Sequence, residues 1–299
     1  MKILISGSTG LVGSKLVPLL AADGHDVARL VRTAKAKDER QISWAPAVGT
    51  IDGGSIQGFD AVVHLAGENI AAGRWNAARK ARIRDSRVNG TRLLCETLAS
   101  LENPPKTLVS ASAIGFYGDR GDEELDERSA AGTSFLANVC KEWEAAADPA
   151  REKGVRVISL RIGVVLSPEG GALQKLLTPF KLGAGGIVGN GRQYWSWIGV
   201  DDVVGVIQHA LKSDELSGPV NCVAPHPSTN QQFTKTLGRV LSRPTIFPLP
   251  AFVAKLMLGE MADELLLASA RVLPKRLQET GYEFRHTKLK AVLRHLLGK

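Results

Sequence analysis

The stretch MKILISGSTGLVG, residues 1–13, decides the fold of this chain. In residues 2–6, three apolar residues stand between a polar residue at each end, a pattern typical of a short buried strand. Three glycines at a spacing of three follow at once, and an apolar helical pattern begins directly behind them. A glycine spacing of this kind indicates a phosphate site when it lies between a strand and a helix, as it does here. The stretch therefore predicts the first unit of a dinucleotide-binding fold.

Each glycine of this turn has its own physical role. Gly7 permits the sharp turn out of the strand, Gly10 lets a pyrophosphate approach the backbone, and Gly13 lets the helix pack closely. The free N–H groups and positive dipole end of the helix suit an anionic diphosphate. Because the spacing is G-x-x-G-x-x-G rather than G-x-G-x-x-G, an ordinary glycine turn is the alternative interpretation. The turn residues expected to contact the cofactor are Gly7, Thr9, Gly10, Leu11, Val12 and Gly13.

Composition bounds the class of protein. The 299 residues suffice for one large or two closely associated domains. No apolar run approaches the ~18 residues of a membrane-spanning helix, so no membrane partner is expected. Three widely spaced cysteines without a C-x-x-C pair indicate reduced thiols in a cytoplasmic protein. No His or Cys cluster has metal-ligand spacing, so no metal is expected either.

The net charge of +8 suits an anionic ligand and also weak affinity for nucleic acid. Six cations fall within residues 79–92, where they spread around a helix instead of forming one stripe with aromatic residues. A solvated or subunit-contacting helix face explains this run better than a nucleic-acid site. We therefore expect a small-molecule substrate, no nucleic-acid partner, and a monomer or homodimer.

The end of the second predicted strand, residues 26–31, bears on the choice of cofactor. An Asp or Glu at this place binds the ribose hydroxyls of NAD. Here the strand runs into Arg32, with Lys35 close behind. A guanidinium cannot accept a hydrogen bond from a hydroxyl, but it binds a 2′-phosphate well. The sequence therefore favours NADP over NAD, with a surface arginine as the alternative interpretation.

Strand and helix patterns alternate along the first half of the chain. Further strands are predicted at 41–44, 60–67, 106–111, 155–161 and 219–223, and helices at 75–100, 135–150 and 168–182, with loop at 46–58. This alternation predicts an α/β fold, a Rossmann-type doubly wound parallel sheet with a smaller, mainly helical C-terminal substrate lobe. We expect a cofactor-binding domain at 1–165, to which 200–225 returns, and a substrate-binding lobe at 166–299.

Ligands of such a sheet lie at the carboxyl ends of its strands. At the carboxyl end of the strand at 60–67, Leu65, Ala66 and Gly67 are therefore expected at the cofactor, together with Glu68 directly behind them. Arg87, on the following helix, and Arg161, at a strand end, are expected to contact the cofactor or a substrate anion. An ion pair at a helix face or strand end is the alternative for both. The aromatic run at 193–197 predicts a lid over a pocket or plain core packing.

Several motifs taken together resemble the extended short-chain dehydrogenase/reductases. They are the glycine turn, HLAGEN at 64–69, GFYGD at 115–119, RIGVVL at 161–166, the segment 179–202 and LPKRL at 273–277. More narrowly, the chain is similar to an epimerase-like branch of unknown substrate that is sometimes labelled cell-division inhibitor. The resemblance covers nearly the whole chain. It implies a Rossmann fold that binds NADP(H), with a smaller C-terminal substrate lobe, and it supplies no substrate.

The resemblance also implies a catalytic set. The wider family uses a Tyr-x-x-x-Lys pair with a Ser or Thr, in which the Tyr is the acid/base and the Lys lowers its pKa and holds the ribose. Lys141 stands in the expected helix, but the residue four before it is Ala137, which cannot transfer a proton. Ser112 lies where the Ser belongs, and Tyr117 is the nearby tyrosine whose hydroxyl could substitute. Packing for Tyr117 and a surface position for Lys141 are the alternatives.

Two functional hypotheses follow from these residues. The first is an NADP(H)-dependent oxidoreductase that acts on a small carbonyl or alcohol, with Ser112, Tyr117 and Lys141 as catalytic candidates. The second is a sensor that holds NADP(H) and does little chemistry, since Ala137 replaces the usual acid. Epimerisation of a nucleotide sugar is doubtful, because Trp195 stands where those enzymes carry an Arg for the substrate diphosphate.

Overall fold

Strands and helices alternate through most of the chain in a computed structural model, which describes residues 1–32 and 40–299. The strands in these ranges are β1 (Lys2–Ser6), β2 (Asp26–Val31), β3 (Gln41–Ala45), β4 (Thr50–Ile51), β5 (Ala61–His64), β6 (Thr107–Ala113), β7 (Glu124–Leu125), β8 (Arg156–Ile162), β9 (Val164–Ser167), β10 (Tyr194–Trp195), β11 (Trp197–Gly199), β12 (Gly218–Cys222), β13 (Ser228–Thr229) and β14 (Arg271–Val272). The helices there are α1 (Gly13–Ala22), α2 (Ala77–Ser100), α3 (Phe135–Ala145), α4 (Asp148–Glu152), α5 (Gly171–Lys181), α6 (Val200–Lys212), α7 (Asn230–Leu241), α8 (Ala251–Leu258), α9 (Glu260–Ala262), α10 (Lys275–Glu279) and α11 (Leu289–Leu297). Short 3₁₀ turns lie at 54–56 and 114–117, and a π-helical turn spans Asp263–Leu267.

Eight of the strands form one central sheet in the order β12-β8-β6-β5-β1-β2-β3-β4. Each neighbouring pair is parallel except β3 and β4, which are antiparallel. From β1 the chain proceeds first to β2 and β3 on one side and then to β5, β6 and β8 on the other. The strand order therefore reverses between β1 and β5, and ligands of such sheets bind in the crevice at this point. The predicted doubly wound parallel sheet is confirmed.

Helices cover both faces of the sheet, which explains the nearly continuous apolar strands. Ile3 and Ile5 of β1 are fully buried and pack with Leu16 of α1 and with α6. Leu4 points to the opposite face, where it packs with Leu94 of α2 and with α4. The apolar run at the start of the chain thus contributes to two separate cores.

Three boundaries differ from the sequence prediction. The helix predicted at 135–150 is two helices, since α3 ends at Ala145 and Pro149, which lacks an N–H group, lies in the first turn of α4. The strand predicted at 106–111 extends to Ala113, so Ser112 lies inside β6. The loop predicted at 46–58 contains β4, which pairs with β3 and forms the antiparallel edge of the sheet.

The carboxyl-terminal part of the chain joins the sheet and adds a third core. Strand β12 pairs with β8 at the edge of the central sheet. Trp195 and Trp197 are buried with Phe180 and Phe233 in a core formed mainly by α5, α7 and α11. The core-packing interpretation of the aromatic run at 193–197 therefore holds for these two tryptophans. No helix within the described ranges is long and apolar enough to cross a bilayer.

Candidate functional site

The glycine turn connects β1 to α1 at the switch point of the sheet. Gly7 has φ +70°, a left-handed conformation that favours glycine, and a Cβ there would lie 2.7 Å from the carbonyl carbon of Leu65. The backbone N–H of Gly10 donates to Gly7 O over 3.0 Å and closes the turn. A Cβ on Gly13 would overlap the same carbonyl oxygen. Backbone contacts therefore require glycine at positions 7 and 13, whereas the role of Gly10 toward a pyrophosphate stays a prediction.

The N-terminus of α1 is open to a ligand. Within the described residues no side chain caps this helix, and its first turn contains no acidic residue. Thr9 and Gly10 are exposed, and Leu11 and Val12 are half-buried. A helix N-terminus without a cap leaves N–H donors and a positive dipole end for an anion. The turn residues predicted to hold a pyrophosphate are thus arranged in a way that suits one.

A second turn, residues 65–67, lies directly beside the first. The backbone N–H of Leu65 donates to Ser6 O over 3.2 Å, and that of Ala66 donates to Ser6 Oγ over 3.4 Å. Gly67 follows at the carboxyl end of β5, next to the end of β1. The predicted cofactor residues of the two turns therefore meet at one edge of the sheet, across the point where the strand order reverses.

His64 supports this pair of turns from below, a role that sequence reasoning missed. Its Nδ1 lies 2.6 Å from Ser6 Oγ, and its fully buried ring is edge-on to Trp44. Its Nε2 has no hydrogen-bond partner among the described residues. Burial lowers the pKa of His64 from 6.5 to about 4, so the imidazole is neutral at physiological pH.

Arg32 and Glu68 were both predicted to contact the cofactor. Arg32 is exposed immediately after β2, at the same edge of the sheet, whereas Lys35 lies outside the described residues. The Glu68 carboxylate accepts a hydrogen bond from Arg79 Nη1 over 2.9 Å and is therefore turned toward α2. The geometry consequently favours a cofactor contact through Arg32 more than one through the Glu68 side chain.

Arg87 of α2 lies beneath the second turn. A Cβ on Gly67 would lie 3.4 Å from the Arg87 Cζ, so the guanidinium is packed along that glycine. Its Nη1 donates to Ile83 O over 3.0 Å, and its Cζ is 5.2 Å from the centre of the Trp143 ring. Burial lowers the pKa of Arg87. This placement agrees with the predicted position of Arg87 at the cofactor crevice.

A buried ion pair joins two of the predicted residues at the ends of neighbouring strands. Ser112 of β6 is the register partner of Arg161 of β8. Arg161 donates from Nε and Nη2 to the two carboxylate oxygens of Glu144, over 2.8 and 2.9 Å. Ser112 Oγ donates to Glu144 Oε1 over 2.7 Å. Arg161 was predicted to contact the cofactor or a substrate anion. It is only 4% exposed, and its guanidinium is already paired in a bidentate manner with Glu144.

Tyr117 is held in the same cluster and is fully buried. Its hydroxyl lies 2.7 Å from Asn221 Oδ1 and 2.9 Å from Asp126 O, and it accepts a hydrogen bond from Arg161 Nη1 over 3.0 Å. We expected Lys141 to lower the pKa of Tyr117. Instead burial raises that pKa to about 12, and Lys141 is not among the described partners of the hydroxyl. The expected lowering is therefore corrected, and these contacts are those of a structural tyrosine.

Helix α3 carries the remaining candidate. Lys141 is exposed on this helix, while Ala137, one turn earlier, is fully buried. Ser134 caps the start of this helix, and its hydroxyl donates to Glu264 Oε2 over 2.8 Å. The Glu264 carboxylate also accepts from the backbone N–H of Phe135 over 2.9 Å. A residue of the C-terminal segment therefore fixes the start of the helix that presents Lys141.

Two further members of the cluster were missed by sequence reasoning. Glu144 lies three residues after Lys141, one helical turn along α3, so its position on the same helix was available as a signal. Asn221 of β12 is the register partner of Arg161 of β8, and the Asn221 Nδ2 donates to Leu273 O over 3.0 Å. No local pattern marks Asn221. In the described ranges, no group of three or more His, Cys, Asp or Glu side chains could hold a metal ion.

Comparisons with known proteins agree with this geometry. Residues 3–222 match the model of the NAD dependent epimerase/dehydratase family, and residues 249–296 match a domain of unknown function, DUF1731. An epimerase family protein of Mycobacterium bovis, Mb2239, is 44% identical over 284 residues, which cover 95% of this chain and 93% of that protein.

Two solved structures are similar over the whole of this chain. The crystal structure of human epimerase family protein SDR39U1 (isoform 2) with NADPH is 34% identical, has a TM-score of 0.91 and is covered completely. A nucleoside-diphosphate sugar epimerase of Corynebacterium glutamicum is 38% identical with a TM-score of 0.83, and this chain covers 58% of it. The resemblance to extended short-chain dehydrogenase/reductases is thereby confirmed. This chain belongs to the NAD dependent epimerase/dehydratase family.

Proposed function

We propose that this protein is an NADP(H)-dependent oxidoreductase of the extended short-chain type that acts on a small carbonyl or alcohol. One observation carries the cofactor part of the proposal. Two backbone turns meet at the switch point of the sheet, and Arg32 follows β2 in place of an acid. A guanidinium there suits a 2′-phosphate. The NADPH in the human SDR39U1 crystal structure supports the same choice.

When bound, NADPH supplies the hydride, and the chain supplies binding, orientation and a path for the proton. The uncapped N-terminus of α1 receives the diphosphate, and Arg87 reaches the crevice beneath Gly67. Lys141 is exposed on α3, which suits contact with the nicotinamide ribose. Because the Ser112 hydroxyl donates its own proton to Glu144, Ser112 is proposed to position the reacting oxygen as a hydrogen-bond acceptor. These assignments use the residues predicted from the sequence.

The source of the proton distinguishes this site from a standard one. Ala137 cannot donate a proton, and Tyr117 is enclosed by three hydrogen-bond partners with a pKa of about 12. A positioned acid contributes ~10²–10⁴ in rate. We therefore propose slow turnover, with Lys141 as proton donor and Tyr117 as part of the supporting cluster.

The substrate is proposed to be small and to lack a diphosphate. Trp195 is 7% exposed and packs against Phe233, and its Nε1 donates to Leu266 O over 3.3 Å. A buried indole offers no charge to a phosphate. Nucleotide sugars are therefore disfavoured as substrates, although the family name refers to epimerases.

A sensor of NADP(H) that does little chemistry is the second candidate, and Ala137 favours it. The test offers purified protein and NADPH to a panel of aldehydes, ketones and quinones and follows absorbance loss of the cofactor. Lys141→Met is compared with Lys212→Met, an exposed lysine at the end of α6. The oxidoreductase proposal expects turnover that only Lys141→Met reduces, by ~10²-fold. Cofactor binding without turnover of any compound favours the sensor.

A further inference from the structure

The C-terminal half carries an unusual concentration of exposed apolar side chains. Eight large apolar residues are strongly exposed in the described ranges, and six of these fall within 182–257. They are between 60% and 79% exposed and define what we call the apolar surface: Leu182, Ile246, Phe247, Phe252, Leu256 and Met257. Contiguous exposed apolar residues mark an interaction site more often than isolated ones do.

Backbone contacts bring the two segments of the apolar surface together. The N–H of Leu249 donates to Ile187 O over 2.8 Å, and that of Gly189 donates to Leu249 O over 2.9 Å. Arg243 Nε donates to Lys181 O over 2.9 Å at the other end of the same pair of segments. Residues 181–189 therefore run beside 243–251, so that Leu182 lies next to the segment that leads into α8.

Helix α8 continues this surface. Phe252 and Leu256 are four residues apart and therefore share one face of the helix, whereas Ala254 is fully buried on another. The segment that precedes α8 contains three prolines at 244, 248 and 250, which limit its backbone freedom. The protruding side chains thus belong to a backbone that is held in place.

The two chain segments that form the apolar surface carry cations and no acid. No Asp or Glu occurs in residues 170–200 or 216–259, whereas seven cations do: Lys175, Lys181, Arg192, Lys235, Arg239, Arg243 and Lys255. Seven cations and no acid give +7, against +8 for the whole chain. Two acids follow α8 in the chain: Asp263 pairs with Lys255 over 2.8 Å, and Glu260 pairs with Lys80 over 2.7 Å. Lys181 and Arg243 remain exposed beside the apolar side chains.

We propose that the apolar surface docks on the face of an anionic phospholipid bilayer. Its apolar side chains enter the boundary between headgroups and acyl chains, and Lys181 and Arg243 contact the anionic headgroups. This contact needs no spanning helix.

Charge decides between a bilayer and other occupants. A second copy docked on the same face would bring Lys181 and Arg243 of the two copies close together, which like-charge repulsion disfavours. A protein partner requires complementary charge only within its own footprint. An anionic bilayer is negative over an area wider than any single contact, and it therefore repels every acid that faces it. The absence of acids from residues 170–200 and 216–259 fits this requirement.

Vesicle flotation with the full chain tests the proposal. Vesicles of phosphatidylcholine and phosphatidylglycerol in equal parts are compared with vesicles of phosphatidylcholine alone, at low and at physiological salt. We expect binding to the anionic vesicles that weakens as salt rises, and little binding to the neutral ones. Absence of binding to anionic vesicles at low salt overturns the proposal and leaves a protein partner as the occupant.

Variants locate the contact. Phe252→Ser with Leu256→Ser is expected to weaken vesicle binding at least ~10-fold. Arg243→Gln is expected to weaken it about fivefold, the usual effect of one cation near an anionic bilayer. The matched control is Val48→Ser, which changes an equally exposed apolar residue of the β3–β4 turn. Equal vesicle binding by the double variant and the control contradicts the proposal. So does a concentration-dependent dimer that the double variant abolishes, since the face would then be a self-interface.

Discussion

The glycine turn and the buried polar cluster lie at the same edge of one sheet but are built differently. The turn consists of consecutive residues, Gly7 to Gly13, whose constraint is backbone overlap: a Cβ on Gly13 has no room beside Gly7 O. The cluster joins side chains from the 3₁₀ turn at 114–117, helix α3 and three strands: Tyr117, Glu144, Ser112, Arg161 and Asn221. The first site is specified within a dozen residues, and the second requires the whole sheet to be in register.

This difference explains which functional assignments the sequence supports. A backbone constraint leaves glycines at fixed spacing, so its chemistry is visible locally. A buried charge needs a partner of opposite charge, but that partner is distant in the sequence and can be identified only once the fold is known. Arg161 illustrates the second case, because a strand-end arginine suits an anionic ligand and an internal carboxylate equally well. The structure provides the carboxylate of Glu144, at 2.8 Å from Arg161 Nε.

Substitution within the buried polar cluster is expected to cause the largest loss of unfolding free energy. Glu144→Ala removes the carboxylate and leaves the Arg161 guanidinium buried without its partner. Breaking a buried pair in this way costs ~3–5 kcal/mol of unfolding free energy, which urea denaturation measures. Glu142→Ala is the matched control, since Glu142 lies on the same helix in an exposed pair with Arg84 and is expected to cost less than ~1 kcal/mol. Similar losses in the two variants would show that the cluster does not hold the fold.

His64, which lies beneath the two turns, makes the free energy of unfolding depend on pH. The unfolded chain protonates His64 near its ordinary pKa of 6.5, whereas the folded chain does so only near a pKa of about 4. Stability from His64 is therefore complete above pH ~6.5 and is lost as the pH falls toward ~4, by up to ~3 kcal/mol. Comparing the wild-type protein with His64→Gln by urea denaturation across this range isolates the contribution. Identical pH profiles would contradict a neutral, buried His64.

The turn itself is tested by Gly13→Ala. The added methyl group meets Gly7 O and the Ser8 backbone, so α1 must move away from β1. We expect a loss of ~1–3 kcal/mol of unfolding free energy and a loss of NADPH affinity larger than this destabilisation explains. Gly53→Ala serves as control, because its Cβ would have only an ordinary contact at 3.6 Å with Thr97 Cγ2. Retained NADPH affinity in Gly13→Ala would separate the turn from the cofactor.

Tyr117→Phe distinguishes the two regions by function. Removing the hydroxyl leaves Asn221 Oδ1 and Arg161 Nη1 short of one partner, at a cost of ~1–2 kcal/mol of unfolding free energy. If Tyr117 belongs to the supporting cluster, NADPH oxidation at saturating substrate is unchanged below the unfolding temperature. A fall of ~10²-fold in turnover with unchanged stability would instead assign Tyr117 to proton transfer.

The sequence predicted the central sheet well because buried parallel strands and glycine turns leave local patterns. β1, β2 and β12 lie within one or two residues of their predicted bounds. The break between α3 and α4 was missed, although Pro149 was visible, because a proline in the first turn of a helix fits either interpretation. Ser112 was named as a candidate from the sequence, but its hydrogen-bond partner Glu144 is 32 residues away, and their contact depends on how α3 packs on β6.

Cofactor choice at Arg32 is the central claim, and calorimetric titration with NADPH and NADH tests it most directly. A charged contact to the 2′-phosphate contributes ~1.5–3 kcal/mol, or about tenfold to a hundredfold in affinity. We expect NADPH to bind more tightly than NADH by this factor. Arg32→Ala should weaken NADPH by the same factor and leave NADH unchanged, so that NADH is the control within each variant. Equal affinities of the wild-type protein for the two cofactors, or unchanged NADPH affinity in Arg32→Ala, would contradict the account.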